Sequence, residues 1–197
     1  MCSVAAPATR ATLRAELLAM DKADQGPRMR LLAEKDSKKQ QAIWAEMFRN
    51  DAQNQAKLKA IVAKWGWPGK SLVGKQASDA AWEVLQHTTE DKPFMRKCLP
   101  MLVSAMDRGD AERPEVALLV DRVLVGEGKK QLYGSQFAMD SSGKMTANPI
   151  QDPAHLDERR RAMHLPPFAV YEKELQEMYK NVKPPVAGPA TKTGGGK

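Results

Sequence analysis

The sequence has no long hydrophobic run. Its longest purely apolar stretch, Val116 to Val120, is far below the ~20 residues that a membrane-spanning helix needs, so no transmembrane segment is expected. Cysteine is scarce, with only Cys2 and Cys98, which excludes a disulfide scaffold and a Cys-based metal site. The three histidines are scattered, without a His-x-x-x-His spacing, so no metal and no structural zinc is predicted. No glycine-rich phosphate loop is present. Gly69-Lys70-Ser71 has the end of such a motif without its upstream glycine or strand. Ser135 lies outside any Gly-x-Ser-x-Gly elbow, and nothing in the chain implies a cofactor.

What is present is a globular composition. Of 197 residues, 42% are hydrophobic and 28% charged, enough to bury one core without staples. The formal charge is +7, yet it is not concentrated. Lys183, Lys192 and Lys197 lie in an acid-free C-terminal segment, and the densest basic cluster, Arg159-Arg160-Arg161, follows Asp157-Glu158 directly. A nucleic-acid binder gathers its basic residues on one face, so a general basic surface is expected here and no nucleic-acid partner.

Both ends read as disordered tails, over 1–9 and over the Pro, Gly and Lys-rich 183–197. A single domain is expected over 10–182. Its start, Cys2-Ser3 followed by small residues, leaves two readings of compartment. The chain is cytoplasmic as it reads, or a periplasmic lipoprotein anchored through Cys2 after loss of a signal peptide. Cys98, inside an apolar helical pattern, is expected to be a buried small hydrophobe.

The predicted fold class is mainly α, a helical body with one small β-hairpin. Thr9 or Thr12 caps a first helix, which Gly26-Pro27 interrupts. Arg28 to Lys64 forms one very long helix or two that break near Asn50-Asp51, with the polar stretch Lys35 to Gln41 over solvent. Trp65-Gly66-Trp67-Pro68-Gly69 forms a loop, with Trp67 as a buried plug. Helices follow at 77–89, 93–108 and 114–125. The period then changes, and 130–139 with 144–150 reads as a hairpin turning at Asp140-Ser141-Ser142-Gly143. Helices at about 154–164 and 167–181 complete the body.

Three polar features interrupt apolar patterns. The stripe Ala77, Ala80, Ala81, Val84 ends in His87, beside Gln86. His87 is either a core histidine satisfied by a carboxylate or a general acid/base. Asp121 interrupts the apolar helix 115–125 and needs a partner. That partner is an arginine of another helix, or a histidine that Asp121 orients. On a strand, Gln131, Tyr133 and Ser135 would share one face, with Gln136 next to them and Gly134 between.

In order along the chain, Asp51-x-x-Asn54-x-x-x-Leu58, Gly66-Trp67-Pro68, Gln86-His87, Asp121-Arg122-Val123, Tyr133-Gly134-Ser135-Gln136, and Asp157 to Arg161 with Leu165-x-Pro167 resemble a bacterial domain family of unknown function. Its members carry a Gly-Trp-Pro loop, a Gln-His pair and a Tyr-Gly-Thr-Gln strand. The resemblance covers about residues 24–172. Ser135 stands where Thr is usual, keeping the hydroxyl, and His164 where Gly is usual. The family has no assigned reaction, so the resemblance implies a shared site and no chemistry.

The reading that unites these residues is a metal-independent acid/base enzyme, hydrolase-like or related, acting on a small polar substrate. His87, Asp121 and Tyr133 would be catalytic. Gln86, Arg122, Gln131, Ser135, Gln136 and Arg161 would bind the substrate, the arginines taking an anionic group. The alternatives are a small-molecule or peptide-binding module without catalysis, and a structural helical protein in which these groups are internal ties.

Overall fold

In the computed structural model, residues 9–185 are described. The expectations for Cys2 and for the rest of the two tails lie outside them. Of the described residues, 68% are helical, with one two-stranded antiparallel sheet, so the fold is mainly α with a small hairpin. No helix among them is long and apolar enough to cross a membrane.

Helix α1 spans Arg10–Ala33 and α2 Ser37–Trp65. Thr9 caps α1 by accepting from the Thr12 amide at 3.2 Å, and Thr12 Oγ1 accepts the Thr9 amide at 2.8 Å. Contrary to the sequence reading, α1 runs straight through Gly26-Pro27. Proline removes the donor for the Ala23 carbonyl, and Asn50 Nδ2 on α2 supplies a replacement at 2.8 Å. The chain instead turns at Glu34 to Asp36, where Asp36 Oδ1 accepts the amides of Lys38 and Lys39. Helix α2 then passes unbroken through Asn50-Asp51. Asn54 is buried and donates to the Met20 carbonyl at 3.0 Å.

A short helix α3, Lys70–Val73, leads into α4, Lys75–Gln86. Helix α4 lies alongside α1 in the same direction, with Arg14 meeting Gln76 and Gln25 meeting Glu83. Helices α5, Lys92–Asp107, and α6, Arg113–Gly126, form an antiparallel pair, and α6 packs on α4, where Trp82 Nε1 donates to the Glu115 carbonyl. Leu17, Leu58, Leu85, Cys98 and Leu102 sit at the centre of the common core. Cys98 is the buried small hydrophobe expected, and burial pushes its thiol up to about 12.

The hairpin is shorter than its sequence pattern. Strands β1, Phe137–Met139, and β2, Met145–Ala147, pair with Phe137 opposite Ala147 and Met139 opposite Met145. A 3-10 turn at Pro153–His155 precedes α7, Leu156–Ala162, and α8 is Phe168–Tyr179. Where α7 ends, the amides of Leu165 and His164 return to the carbonyls of Arg160 and Arg161, and His164 takes φ 56°. This is a left-handed helix stop of the kind glycine favours, so the tight turn persists with His in glycine's usual place.

After α8 the chain returns to α2. Gln40 is buried rather than solvated. It donates to the carbonyls of Glu34 and Asn181 and accepts the Lys183 amide at 2.9 Å. Trp44 Nε1 donates to the Lys183 carbonyl. Residues 183–185 are thus bonded to the helical body at their first positions, where the composition read as tail.

Glu115 is buried in the first turn of α6 and accepts the Glu112 amide at 3.1 Å. Burial, above all, pushes its carboxyl up to about 7. A raised carboxyl binds its proton more tightly in the folded chain, so its contribution is fully present below the unfolded value and is lost as pH rises toward 7. Gln at this position keeps an acceptor without the charge. Glu115→Gln is expected to stabilise the protein by about 1–3 kcal/mol at pH 8 and by nearly nothing at pH 4. Urea midpoints at the two pH values check this, and an equal effect at both would refute it.

Candidate functional site

Asp24 lies on α1, its carbonyl accepting Arg28 Nη1 at 2.8 Å, and its side chain is buried between α1 and α4. Helix α4 ends at Gln86, and His87 is its C-cap. His87 Nδ1 lies 2.9 Å from Asp24 Oδ2 and 3.0 Å from Oδ1. Asp24 also accepts Arg28 Nη1 at 2.9 Å and Gln25 Nε2 at 2.7 Å. Arg28 Nη2 reaches both oxygens of Asp51 on α2, at 2.9 and 3.0 Å. Glu83, one turn before His87, accepts from Gln25 at 3.2 Å and from Gln86. Arg122 Nη1 on α6 donates to the Gln86 carbonyl. Four helices therefore converge on one polar cluster.

Burial sets its electrostatics. His87 is held below the ordinary histidine value first by burial, which the bond to Asp24 opposes, while Arg28 and Arg122 add to the lowering. Glu83 is raised, again first by burial, with Asp24 and Asp21 adding to it. Burial also raises Asp51, ahead of the opposing Arg28. Facing a carboxylate, the neutral imidazole carries its proton on Nδ1 and its lone pair on Nε2. Among the described residues Nε2 has no hydrogen-bond partner, and the side chain keeps 20% exposure. A neutral histidine with a free, reachable lone pair can take a proton or bind a cation. Ligand atoms of Asp24, Glu83 and His87 lie within 4.8 Å of one another, so these three are also the set that could hold a metal.

The residues singled out in the sequence divide into two groups. His87, Gln86 and Arg122 belong to the cluster above. Asp121 does not meet His87, and this corrects the expected pairing. Its buried carboxylate accepts the amides of Leu132 at 2.7 Å, Tyr133 at 3.0 Å and Ser135 at 2.9 Å, and Ser135 Oγ at 2.9 Å. A buried Asp does need partners, but here they are three backbone amides and the Ser135 hydroxyl rather than an arginine or a histidine.

Residues 131–136 are correspondingly a loop wrapped on Asp121, not a strand with alternating faces. Buried Gln131 closes the loop by donating to the carbonyls of Gln136 and Asn148 and accepting the Gln136 amide. Gln136 Nε2 donates to Ser135 Oγ at 3.0 Å. Tyr133 is half-buried there, its hydroxyl raised by burial and by Asp121. Gly134 has φ 67°, and a Cβ would lie 2.9 Å from the Phe168 ring, so glycine is required.

Arg161 is exposed. Its neighbour Arg160 is the buried one, bonded to the carbonyls of Pro166 and Tyr133 and 4.9 Å from the Tyr171 ring centroid. The Asp24, Arg28, Asp51 and Glu83 roles were missed. A signal existed, since Asp24 with Arg28 and Glu83 with His87 are both i, i+4 pairs sharing a helix face.

No curated protein and no solved structure matches the chain. Residues 11–183 match the family described as a family of unknown function (DUF6624). That stretch takes in both polar groups and all the helices after the first residue of α1, and the chain belongs to this family.

Proposed function

We propose that the protein is an acid/base enzyme, hydrolase-like or related and independent of metal, acting on a small polar substrate with His87 as its base. The observation that carries this reading is the pairing of His87 Nδ1 with both oxygens of buried Asp24, which leaves Nε2 free. Held below its ordinary pKa, His87 is neutral near pH 7 and ready to accept a proton from a substrate hydroxyl or from water. Asp24 would then stabilise the imidazolium, its own oxygens fixed by Gln25 and Arg28. Glu83, one turn before His87 on the same helix face and raised by burial, is the second titratable group of the site. A base pushed down and an acid pushed up, side by side, match the assignment of opposite roles to two titratable groups.

The test is a screen of the full chain against ester, phosphoester and amide substrates. Any activity found is then measured in His87→Gln, with circular dichroism confirming the fold. Turnover is expected to fall by about 10²–10⁴, and the acid limb of the pH profile, lying below the ordinary histidine value, should vanish. Activity that survives His87→Gln overturns the proposal. Activity that a chelator abolishes and Mn²⁺ or Zn²⁺ restores would favour a cation on Asp24, Glu83 and His87, which their mutual proximity allows. Ligand retention without turnover of any class would make the protein a binding module instead.

A further inference from the structure

Between the first turns of α5 and the end of α6 lies a cleft of about 240 Å³, bordered by Lys92, Met95 and Arg96 on one side and Arg122, Val123 and Glu127 on the other. It contains a cation that no acid of the described protein neutralises. Arg122 Nη1 donates to the Gln86 carbonyl, but its Nε is sealed from solvent without a partner. No carboxylate among the described residues forms an ion pair with it. Burial, above all, lowers its pKa; Tyr171 opposes the lowering, Arg28 adds to it, and Glu83 opposes it more weakly. A charge withdrawn from water in this way is costly unless something pairs with it.

The acid at the cleft is already spent. Glu127 binds Arg96 Nη1 at 2.5 Å and Lys129 Nζ at 2.7 Å. Lys92 has no ion-pair partner, and its stem lies over Gly126, where a Cβ would be 3.6 Å from Lys92 Cδ. Arg122 and Lys92 thus offer two unneutralised cations, with the apolar Met95 and Val123 on either wall. With Nη1 on the Gln86 carbonyl and Nε sealed from solvent, Arg122 offers a carboxylate its charge and its remaining Nη2.

We propose that this cleft binds a small organic acid, its carboxylate on Arg122 and Lys92 and its short apolar body against Met95 and Val123. The site does not depend on catalysis at His87, although Arg122 ties it to the residue immediately before that histidine.

Calorimetric titration of the full chain with butyrate, butyramide and inorganic phosphate tests it. Butyrate is expected to bind saturably, and the neutral amide at least about tenfold more weakly, since it lacks the charge that Arg122 requires. Lys92→Glu reverses a charge on an exposed side chain and should abolish butyrate binding without unfolding the protein. Arg122→Gln should do the same where circular dichroism shows it folded. His87→Gln should leave butyrate binding unchanged, which separates this site from the proposed catalyst. Absence of saturation, equal binding of butyramide, tighter binding of phosphate than of butyrate, or indifference to Lys92→Glu would each overturn the proposal.

Discussion

Asp121→Ala is expected to destabilise the protein by about 3–5 kcal/mol. The carboxylate is fully buried and accepts four donors, three of them backbone amides of one short loop. Hydrogen bonds to a charged acceptor contribute more than neutral ones, and truncation would leave those amides enclosed without a partner. The effect should spread along the chain. The loop it holds also carries the Tyr133 carbonyl that receives Arg160 and the Leu132 carbonyl that receives Arg159, so α7 loses its anchorage with it. In thermal unfolding the loss should appear as a drop of roughly 10 °C. Asp121→Asn should cost nearly as much, because an amide turns one acceptor into a donor facing other donors. A fully stable Asp121→Ala variant would show that the loop does not depend on this carboxylate, and would return Asp121 to the list of residues free to do chemistry.

The two aspartates illustrate what could be read in the sequence. Both Asp24 and Asp121 lie inside helices, and both are buried. The sequence shows only that Asp121, set in an apolar stretch, needs a partner, and periodicity places His87 at the end of an apolar stripe. Which aspartate meets the histidine depends on α1 running beside α4, a long-range fact that no local pattern carries. The Gly26-Pro27 error has the same origin. A proline ends a helix when its orphaned carbonyl has no other donor, and here Asn50, 27 residues away along the chain, provides one.

The loop at 131–136 imitates a strand because polar and apolar residues alternate, but their spacing serves a buried carboxylate rather than a sheet. By contrast, the turn at Asp140 to Gly143 was legible because its bonds are local. Asp140 Oδ1 accepts the amides of Ser142 and Lys144. Of the site, His87, Gln86 and Arg122 were legible. Asp24, Arg28 and Glu83 were visible only as i, i+4 pairs without a reason to prefer them.

Trp67→Ala should cost about 3–5 kcal/mol, and Trp67→Phe much less. Trp67 is 9% exposed and belongs to the main core. The loop that presents it is held on both sides. The Gly69 amide donates to the Trp67 carbonyl at 2.9 Å, and the Lys70 amide to the Asp110 carbonyl at 3.0 Å. Gly69 leaves no alternative path, since a Cβ there would lie 2.3 Å from Asp110 Oδ2 and 3.0 Å from the Asp110 carbonyl oxygen. A loop pinned so closely cannot collapse into the space a missing indole leaves, so alanine should carry the full cavity penalty. The indole itself is imperfectly served, because its Nε1 is buried without a partner. Phenylalanine gives up some volume but also removes that unsatisfied donor, and the two effects oppose each other. The net cost of Trp67→Phe should stay below about 1.5 kcal/mol. Urea unfolding of both variants measures the difference. If Phe costs as much as Ala, the ring nitrogen is contributing a bond that offsets its burial. If neither costs anything, Trp67 is not the plug that holds the loop to the core.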